Sequence, residues 1–262
     1  MDISLNGKVA LVGGGSDGIG WAIAQSLADC GAEIVLMARS ETKLQSRIKM
    51  LSTENGQIHS FIVTDFNNHE LHRANVTDFF RNNQIDILIN NTNGPSAGDV
   101  LSTSHDNYQQ AFDLLFQNAV FTTNLALESM RINKFGRIIN VSSMTVKEPN
   151  DMLVLSNTMR TALVSWAKSL SNAVAREGIT VNTVLTGSFD TERLNSLMKT
   201  QSEKSGVEFE KIKEAKISQI PVGRLGYPYE YAALVSFLAS NHSSFITGTA
   251  IPLDGGANLG LY

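Results

Sequence analysis

A glycine-rich turn near the start of the chain joins a short apolar segment to a helical one. Residues 8–12 are Lys-Val-Ala-Leu-Val, the turn is Gly13–Gly20, and residues 18–30 have the spacing of an amphipathic helix. A second apolar segment follows at 33–38. A buried strand, a tight turn, a helix and a second strand in this order form a βαβ unit with two parallel strands. The sequence therefore predicts an α/β fold that begins with this crossover.

Three glycines of the turn each have a physical reason to lack a side chain. Gly14, Gly18 and Gly20 have the spacing at which a turn bends sharply, a pyrophosphate approaches the backbone, and the helix lies close to the strand. The amides at the helix start and the helix dipole then favour a bound phosphate. The predicted dinucleotide-binding residues of the turn are Gly14, Ser16, Asp17, Gly18, Ile19 and Gly20. The alternative is a glycine-rich corner of the fold that binds nothing.

Apolar segments and helical segments alternate along the rest of the chain. The predicted strands are 8–12, 33–38, 58–64, 85–90, 136–142, 179–185 and 248–253, and the predicted helices are 18–30, 41–54, 68–82, 106–133, 153–177, 190–202, 207–217 and 228–240. The strands are apolar throughout rather than alternating, as in a parallel sheet covered on both faces. We predict one Rossmann domain over residues 1–262, with a doubly wound, mostly parallel seven-stranded sheet and helices on both faces.

A polar, charge-dense segment at about 190–220 interrupts this alternation. We predict a small helical lid over the carboxyl edge of the sheet. The alternative is a surface insertion with no gating role. Apolar side chains at the start of the segment are expected to line a substrate pocket, or else to pack within the lid; they are Phe189, Leu194, Leu197 and Met198.

Composition argues against several classes of protein. With 42% hydrophobic and 18% charged residues, a chain of 262 residues can form one large core. The net charge of −4, without a basic stripe, predicts no nucleic-acid partner. No segment approaches the roughly 20 apolar residues of a membrane span, so we expect a cytoplasmic protein with no membrane partner. His69 and His72 are one helical turn apart but lack a third ligand nearby, so no metal site is expected.

Further motifs follow in a definite order. They are Asp65 after the third strand, Asn90-Asn91-Thr92-Asn93-Gly94 after the fourth, Gly136-Arg-Ile-Ile-Asn-Val-Ser-Ser143, Val181-Asn182-Thr-Val-Leu-Thr186-Gly187 with Thr191, and a tail from Ile246 to Gly256. From about Leu5 to Gly256 this order resembles the classical short-chain dehydrogenase/reductase family, especially its bacterial 3-oxoacyl-carrier-protein reductase-like members. The resemblance implies an NAD(P) site that adds Asp65, Phe66, Asn91, Gly94, Arg160, Thr186, Gly187 and Thr191 to the glycine turn. It also implies a homodimer or homotetramer packed through helix 153–177, which is apolar on more than one face.

The residue that ends the second strand bears on the choice between NAD and NADP. An acidic side chain there would bond the ribose hydroxyls of NAD, but the position is Ala38, and Arg39 follows. A guanidinium can hold the 2′-phosphate of NADP in a forked pair, although Arg39 could instead be a surface residue at a helix start. Asp17 favours NAD instead, because its negative charge could repel the 2′-phosphate of NADP. We predict NADP, with NAD possible.

The catalytic segment departs from the family pattern. The family places a Tyr thirteen residues after its active-site Ser and a Lys four residues later; Ser143 fits the Ser, but Ser156 and Arg160 occupy the other two positions. An aliphatic hydroxyl is a far weaker acid than a phenol, and a guanidinium keeps its proton. We predict that these three residues form a cluster of hydrogen-bond donors, with Arg160 holding the nicotinamide ribose or stabilising an oxyanion or carboxylate. The proton would come through Ser156 from water, from Lys147 or from the substrate. The alternative for Ser156 and Arg160 is an ordinary place on the helix surface.

Three functions remain open at this point. The first is an NADP-dependent oxidoreductase with an atypical proton donor, acting on an apolar keto or hydroxy compound such as a 3-oxoacyl derivative or a cyclic ketone. The second is a dehydratase or isomerase on the same fold, and the third is a catalytically weak nucleotide-binding protein. Ser143 and the complete set of cofactor motifs favour the first, whereas Ser156 in the place of a tyrosine favours the other two.

Overall fold

Seven parallel strands form the sheet on which the molecule is built. In the computed structural model, which describes residues 2–260, the strand order is β3-β2-β1-β4-β5-β6-β7. The strands are β1 (Val9–Gly13), β2 (Glu33–Ala38), β3 (Ser60–Val63), β4 (Ile87–Asn90), β5 (Gly136–Val141), β6 (Ile179–Thr186) and β7 (Ala250–Leu253). The helices are α1 (Gly18–Asp29), α2 (Glu41–Ile48), α3 (His69–Phe80), α4 (His105–Phe112), α5 (Asn118–Asn133), α6 (Val154–Val174), α7 (Glu192–Ser205), α8 (Phe209–Ser218) and α9 (Pro228–Ala239).

Each face of the sheet is covered by its own apolar cluster. Ala10 of β1 packs on the side of α1 and α9, with Leu27 and Val235. The next residue, Leu11, packs on the opposite side with Val76 of α3 and Met130 of α5. Successive side chains of a strand point to opposite faces, so a sheet buried on both faces needs uniformly apolar strands. The predicted doubly wound Rossmann fold is confirmed, and every strand pairing in the sheet is parallel.

Three predicted helices have different limits in the structure. Helix 41–54 ends at Ile48, and the chain then turns at Gly56, whose φ is +78°. Helix 106–133 is interrupted by a π-helical turn, Asp113–Gln117, between α4 and α5. Helix 153–177 ends at Val174 and continues as a short 3₁₀ turn. An apolar pattern averaged over many residues does not record one wide or tight turn, so these breaks were missed.

The segment predicted as a lid forms α7 and α8, which follow β6 at the carboxyl edge of the sheet. Thr191 caps α7, because its Oγ1 accepts from the Leu194 amide at 3.2 Å. The Thr191 Cγ2 also lies 3.5 Å from the position that a Cβ of Gly18 would take. This places the start of α7 beside the glycine turn, as a lid requires, while its opening and closing stay a prediction. Within residues 2–260, no helix combines the length and the apolar character needed to cross a membrane.

Candidate active site

The glycine turn is tightly packed on one side and open on the other. A Cβ on Gly20 would lie 2.2 Å from the Gly14 carbonyl oxygen, so only glycine lets α1 approach β1 this closely. Gly18 has a φ of +53°, and apart from its own chain neighbours Thr191 is the one residue of the described chain that comes within 4 Å of its Cβ position. The Asn91 amide, which we assigned to the cofactor, donates to the Gly13 carbonyl at 2.9 Å and so holds the end of β1 beneath the turn. The turn can therefore accept a phosphate on the side that faces α7.

Asp17 is neutralised by two cations from α2. Lys43 Nζ donates to Asp17 Oδ2 at 2.5 Å, and Arg47 Nη2 lies 3.5 Å from Asp17 Oδ1. Arg47 Nε also donates to the Ser16 carbonyl at 2.9 Å, and the Ser16 hydroxyl donates to Asp17 at 3.3 Å. Arg39 is exposed and makes no ion pair within the described part of the chain. The charge of Asp17 is therefore balanced by two cations, and its effect on a 2′-phosphate stays a prediction.

The strand ends next to the glycine turn border a pocket. Its empty volume is about 430 Å³, and its lining includes Phe66, Asn91, Leu115 and Arg160. Asp65 is assigned to the adenine by resemblance. Its carboxylate accepts two hydrogen bonds from Asn67, one from the backbone amide at 3.0 Å and one from the side-chain amide at 2.9 Å. Phe66 is buried at this edge, where its ring packs against His72 of α3 with centroids 5.2 Å apart.

Arg160 ties α6 to the end of β5. Its Nε donates to Ser156 Oγ at 3.1 Å, and its Nη1 donates to the Val141 carbonyl at 2.8 Å. Burial lowers the pKa of this guanidinium to about 10; Tyr231 acts against that shift, and nearby Arg193 adds to it. Ser143 follows the end of β5 and accepts from the Thr145 amide at 3.2 Å. The structure thus joins Ser156 to Arg160 directly, and it records no hydrogen bond between Ser143 and Ser156 within residues 2–260.

Tyr231 does not replace the missing catalytic tyrosine. Its side chain is fully buried in α9, where it donates to the Val184 carbonyl at 3.4 Å. The Thr186 hydroxyl, assigned to the cofactor, instead bonds Tyr231 Oη at 3.1 Å. Burial raises the pKa of this phenol above its ordinary value, despite the opposing effects of Thr186 and Arg160. A phenol with a raised pKa and no access to solvent is a poor proton donor.

Two further side chains that line this pocket, Asn118 and Leu115, are fixed by their own packing. Asn118 Oδ1 lies 2.7 Å from His69 Nδ1, and its amide donates to the Phe66 carbonyl at 2.8 Å, so it is held against α3. Leu115 is buried in the π-helical turn. Phe189 does not line this pocket; it packs edge-on against Tyr231, with ring centroids 5.3 Å apart.

Arg193 is a site residue that belongs to no motif of the sequence. Its Nη2 lies 3.4 Å from the Gly94 carbonyl, which it reaches from the start of α7 across to the loop after β4. The sequence offers one weak signal, a basic residue two positions after Thr191. Its closeness to Arg160 depends on how three separate segments pack, and no local pattern reports it.

Comparisons with known proteins place this fold and site in one family. The model of the family described as enoyl-(acyl carrier protein) reductase matches residues 14–258. The 3-oxoacyl-(acyl-carrier-protein) reductase FabG of Vibrio cholerae serotype O1 is 32% identical over 254 residues, which cover 97% of this chain and 98% of the relative. FabG of Haemophilus influenzae is 33% identical over 258 residues, covering 97% and 100%.

Solved structures agree with these relatives. L-sorbose reductase from Gluconobacter frateurii, complexed with NADPH and L-sorbose, has a TM-score of 0.92 at 28% identity and full coverage of both chains. YwfH, an NADPH-dependent reductase involved in bacilysin biosynthesis, has a TM-score of 0.90 at 28% identity, covering 97% of this chain and 99% of the other. The resemblance stated from the sequence is confirmed. With its glycine turn, its parallel sheet and these relatives, the chain belongs to the short-chain dehydrogenase/reductase family of NAD(P)-dependent oxidoreductases.

Proposed function

We propose that the protein is a cytoplasmic, NADP-dependent oxidoreductase that interconverts a keto and a hydroxy compound without the family's catalytic tyrosine. The observation that carries this proposal is the contact of Arg160 with Ser156 and with the end of β5, next to Ser143. These residues occupy the positions of the family's Ser, Tyr and Lys. The names of the relatives, 3-oxoacyl-carrier-protein reductase and sorbose reductase, support carbonyl reduction as the reaction class.

The chain has the groups needed to hold NADP. The open side of the glycine turn offers backbone amides to a pyrophosphate, and Arg39 with Lys43 offers charge to a 2′-phosphate. Asp65 and Phe66 would hold the adenine. Backbone and side-chain groups of the segment from Thr186 through Gly187 to Thr191 would hold the nicotinamide end. Bound NADPH supplies the hydride.

The proposed roles of the three catalytic residues follow from their hydrogen bonds. Ser143 would donate to the carbonyl oxygen and orient it. Because Ser156 Oγ accepts from Arg160 Nε, its own proton is free to point at the substrate. The adjacent guanidinium charge lowers the cost of that donation and stabilises negative charge on the substrate oxygen. Water would then restore the proton to Ser156.

A spectrophotometric assay of NADPH oxidation tests this proposal. The substrates are 3-oxoacyl thioesters and cyclic ketones, with NADH run in parallel. We expect Ser143→Ala to lower kcat by about 10²–10³-fold and Ser156→Ala by about 10²-fold, with little change in NADPH affinity. The control is Ser165→Ala, an exposed hydroxyl of the same helix, which should keep wild-type rates.

Other outcomes separate the alternatives. Absence of NADPH oxidation with every ketone at high enzyme concentration would contradict the proposal. Turnover without nicotinamide would identify a dehydratase or isomerase that uses Ser143 and Arg160 to polarise a carbonyl. NADPH binding in calorimetry with no reaction would identify a nucleotide-binding protein.

A further inference from the structure

Two guanidinium groups from different elements meet at Gly94. A Cβ placed on this glycine would lie 3.1 Å from Arg193 Nη2 and 3.9 Å from Arg160 Nη2. The two nitrogens are therefore no farther apart than the sum of these distances. A carboxylate that accepts a hydrogen bond of about 2.8 Å from each nitrogen can span such a gap.

Within residues 2–260, no carboxylate neutralises either guanidinium. Across residues 2–260, the ion pairs include no carboxylate within 4.0 Å of Arg160 or Arg193. Arg160 uses Nε and Nη1 for Ser156 and Val141, which leaves Nη2 free on the side of Arg193. Among the described residues, the hydrogen-bond partner of the Arg193 guanidinium is the Gly94 carbonyl, at 3.4 Å. Two like charges held together, one half-buried (Arg160) and one exposed (Arg193), favour an anion between them.

We propose that Arg160 and Arg193 bind the carboxylate of an oxo-acid substrate, with Arg193 setting the preference for acids. This inference rests on the proposed oxidoreductase function and names its substrate class. Arg160 is bonded to Val141, two residues before Ser143, so the anion lies close to the carbonyl group that Ser143 orients. A 2-oxo or 3-oxo acid, whose carboxylate is one or two bonds of chain away from its carbonyl carbon, is the substrate class that would place both groups there.

The pyrophosphate of the cofactor is the other anion that could lie nearby. The geometry favours the substrate, because the phosphate-binding turn is open at Gly18, where Thr191 and not Arg193 is its neighbour. Arg193 reaches past that point to Gly94 and Arg160, in the part of the site that holds Ser156. The two anions can be distinguished by a substitution of Arg193, which would weaken substrate use if the anion is the substrate carboxylate and NADPH binding if it is the pyrophosphate.

Paired acids and esters test the inference. The probes are acetoacetate with methyl acetoacetate, and benzoylformate with methyl benzoylformate, each assayed with NADPH. The wild type is expected to favour the acid of each pair by at least about 30-fold in kcat/KM, and Arg193→Gln to abolish that preference while changing ester rates less than about threefold. Arg193→Lys should retain part of the preference, since it keeps the charge and loses the fork. Arg81→Gln, which removes an exposed arginine of a surface ion pair, is the matched control.

Several results would overturn the inference. One is equal kcat/KM for the acid and the ester in the wild type, and another is an equal loss of kcat/KM for both substrates in Arg193→Gln. A third is a rise in the Kd for NADPH in Arg193→Gln as large as its loss of kcat/KM, which would assign Arg193 to the cofactor. Calorimetric binding of acetoacetate to the complex with NADP⁺ separates this inference from the proposed function, because it needs no turnover. If no ketone is reduced, the anion site is still supported when acetoacetate binds the wild type and this binding is lost in Arg193→Gln. If acetoacetate does not bind the wild type, the anion site is refuted.

Discussion

At the scale of single residues, the neighbours of a charge decide its effect on a ligand. Asp17 taken alone is a negative charge in the phosphate-binding turn. In the folded chain it lies between Lys43 and Arg47, so it holds two cations at the place where a 2′-phosphate would bind. We expect a 2′-phosphate to compete with Asp17 for Lys43, and this competition to weaken NADP binding.

Replacement of Asp17 by Asn is therefore expected to strengthen NADPH binding. Without the carboxylate, Lys43 and Arg47 are free for the phosphate, and the Kd for NADPH should fall about three- to tenfold while that for NADH stays constant. Fluorescence titration of both coenzymes measures this. The control is Glu70→Gln, an exposed acid of α3. Weaker NADPH binding, or an equal gain for NADH, would show that Lys43 does not contact the phosphate.

At the scale of elements, a buried histidine joins α3 to α5. His72 is fully buried, and its Nε2 lies 3.0 Å from Thr122 Oγ1. Burial, with a smaller effect of nearby His69, lowers the pKa of His72 from 6.5 to about 4. The folded protein therefore keeps this imidazole neutral at a pH where the unfolded chain protonates it.

This difference predicts a loss of stability in mild acid. The unfolded chain binds the extra proton below its pKa of 6.5, so the free energy of unfolding falls as the pH drops from 6.5 towards 4. The loss attributable to His72 should reach roughly 2 kcal/mol at pH 5. Urea unfolding at pH 7.5 and pH 5 measures it in the wild type and in His72→Gln, where this part of the loss should vanish. His105→Gln, at an exposed position, should keep the wild-type response; the same pH dependence in all three proteins would contradict the assignment.

At the scale of the whole molecule, an aromatic cluster lies across the helices on one side of the sheet. Phe112 and Phe116 stack with centroids 5.3 Å apart, and Phe116 meets Trp166 of α6 edge-on at 6.3 Å. All three side chains are half-buried. A partly exposed aromatic cluster of this kind is typical of protein–protein contacts.

We expect the protein to form a homodimer or homotetramer through this face. Light scattering after size exclusion should give two or four times the chain mass of 28.5 kDa. Trp166→Arg should shift the mass towards the monomer, because it buries an unpaired charge at the contact. Ile58→Arg, a matched change at an exposed loop position, should leave the assembly intact. A wild-type monomer at all concentrations would contradict the expectation.

The accuracy of prediction differed between strands, helices and side-chain contacts. Strand positions agree with the structure to within about two residues, because a strand buried on both faces is apolar from end to end. The π-helical turn at Asp113–Gln117 was missed, since one widened turn hardly changes the helical pattern. Phe189 was expected either to line the substrate pocket or to pack within the lid. It packs instead against Tyr231, which belongs to a helix far along the chain.

The sequence alone determined three features: the order of strands and helices, the glycine turn, and the absence of a tyrosine at position 156. Each is a property of a short stretch of chain. Only the tertiary structure decided that Lys43 neutralises Asp17, that Arg160 reaches Val141, and that Arg193 meets Gly94. The physical reason is distance along the chain. Arg193 and Gly94 are separated by 99 positions, and such contacts are created by the packing of the sheet and its helices rather than by any local preference.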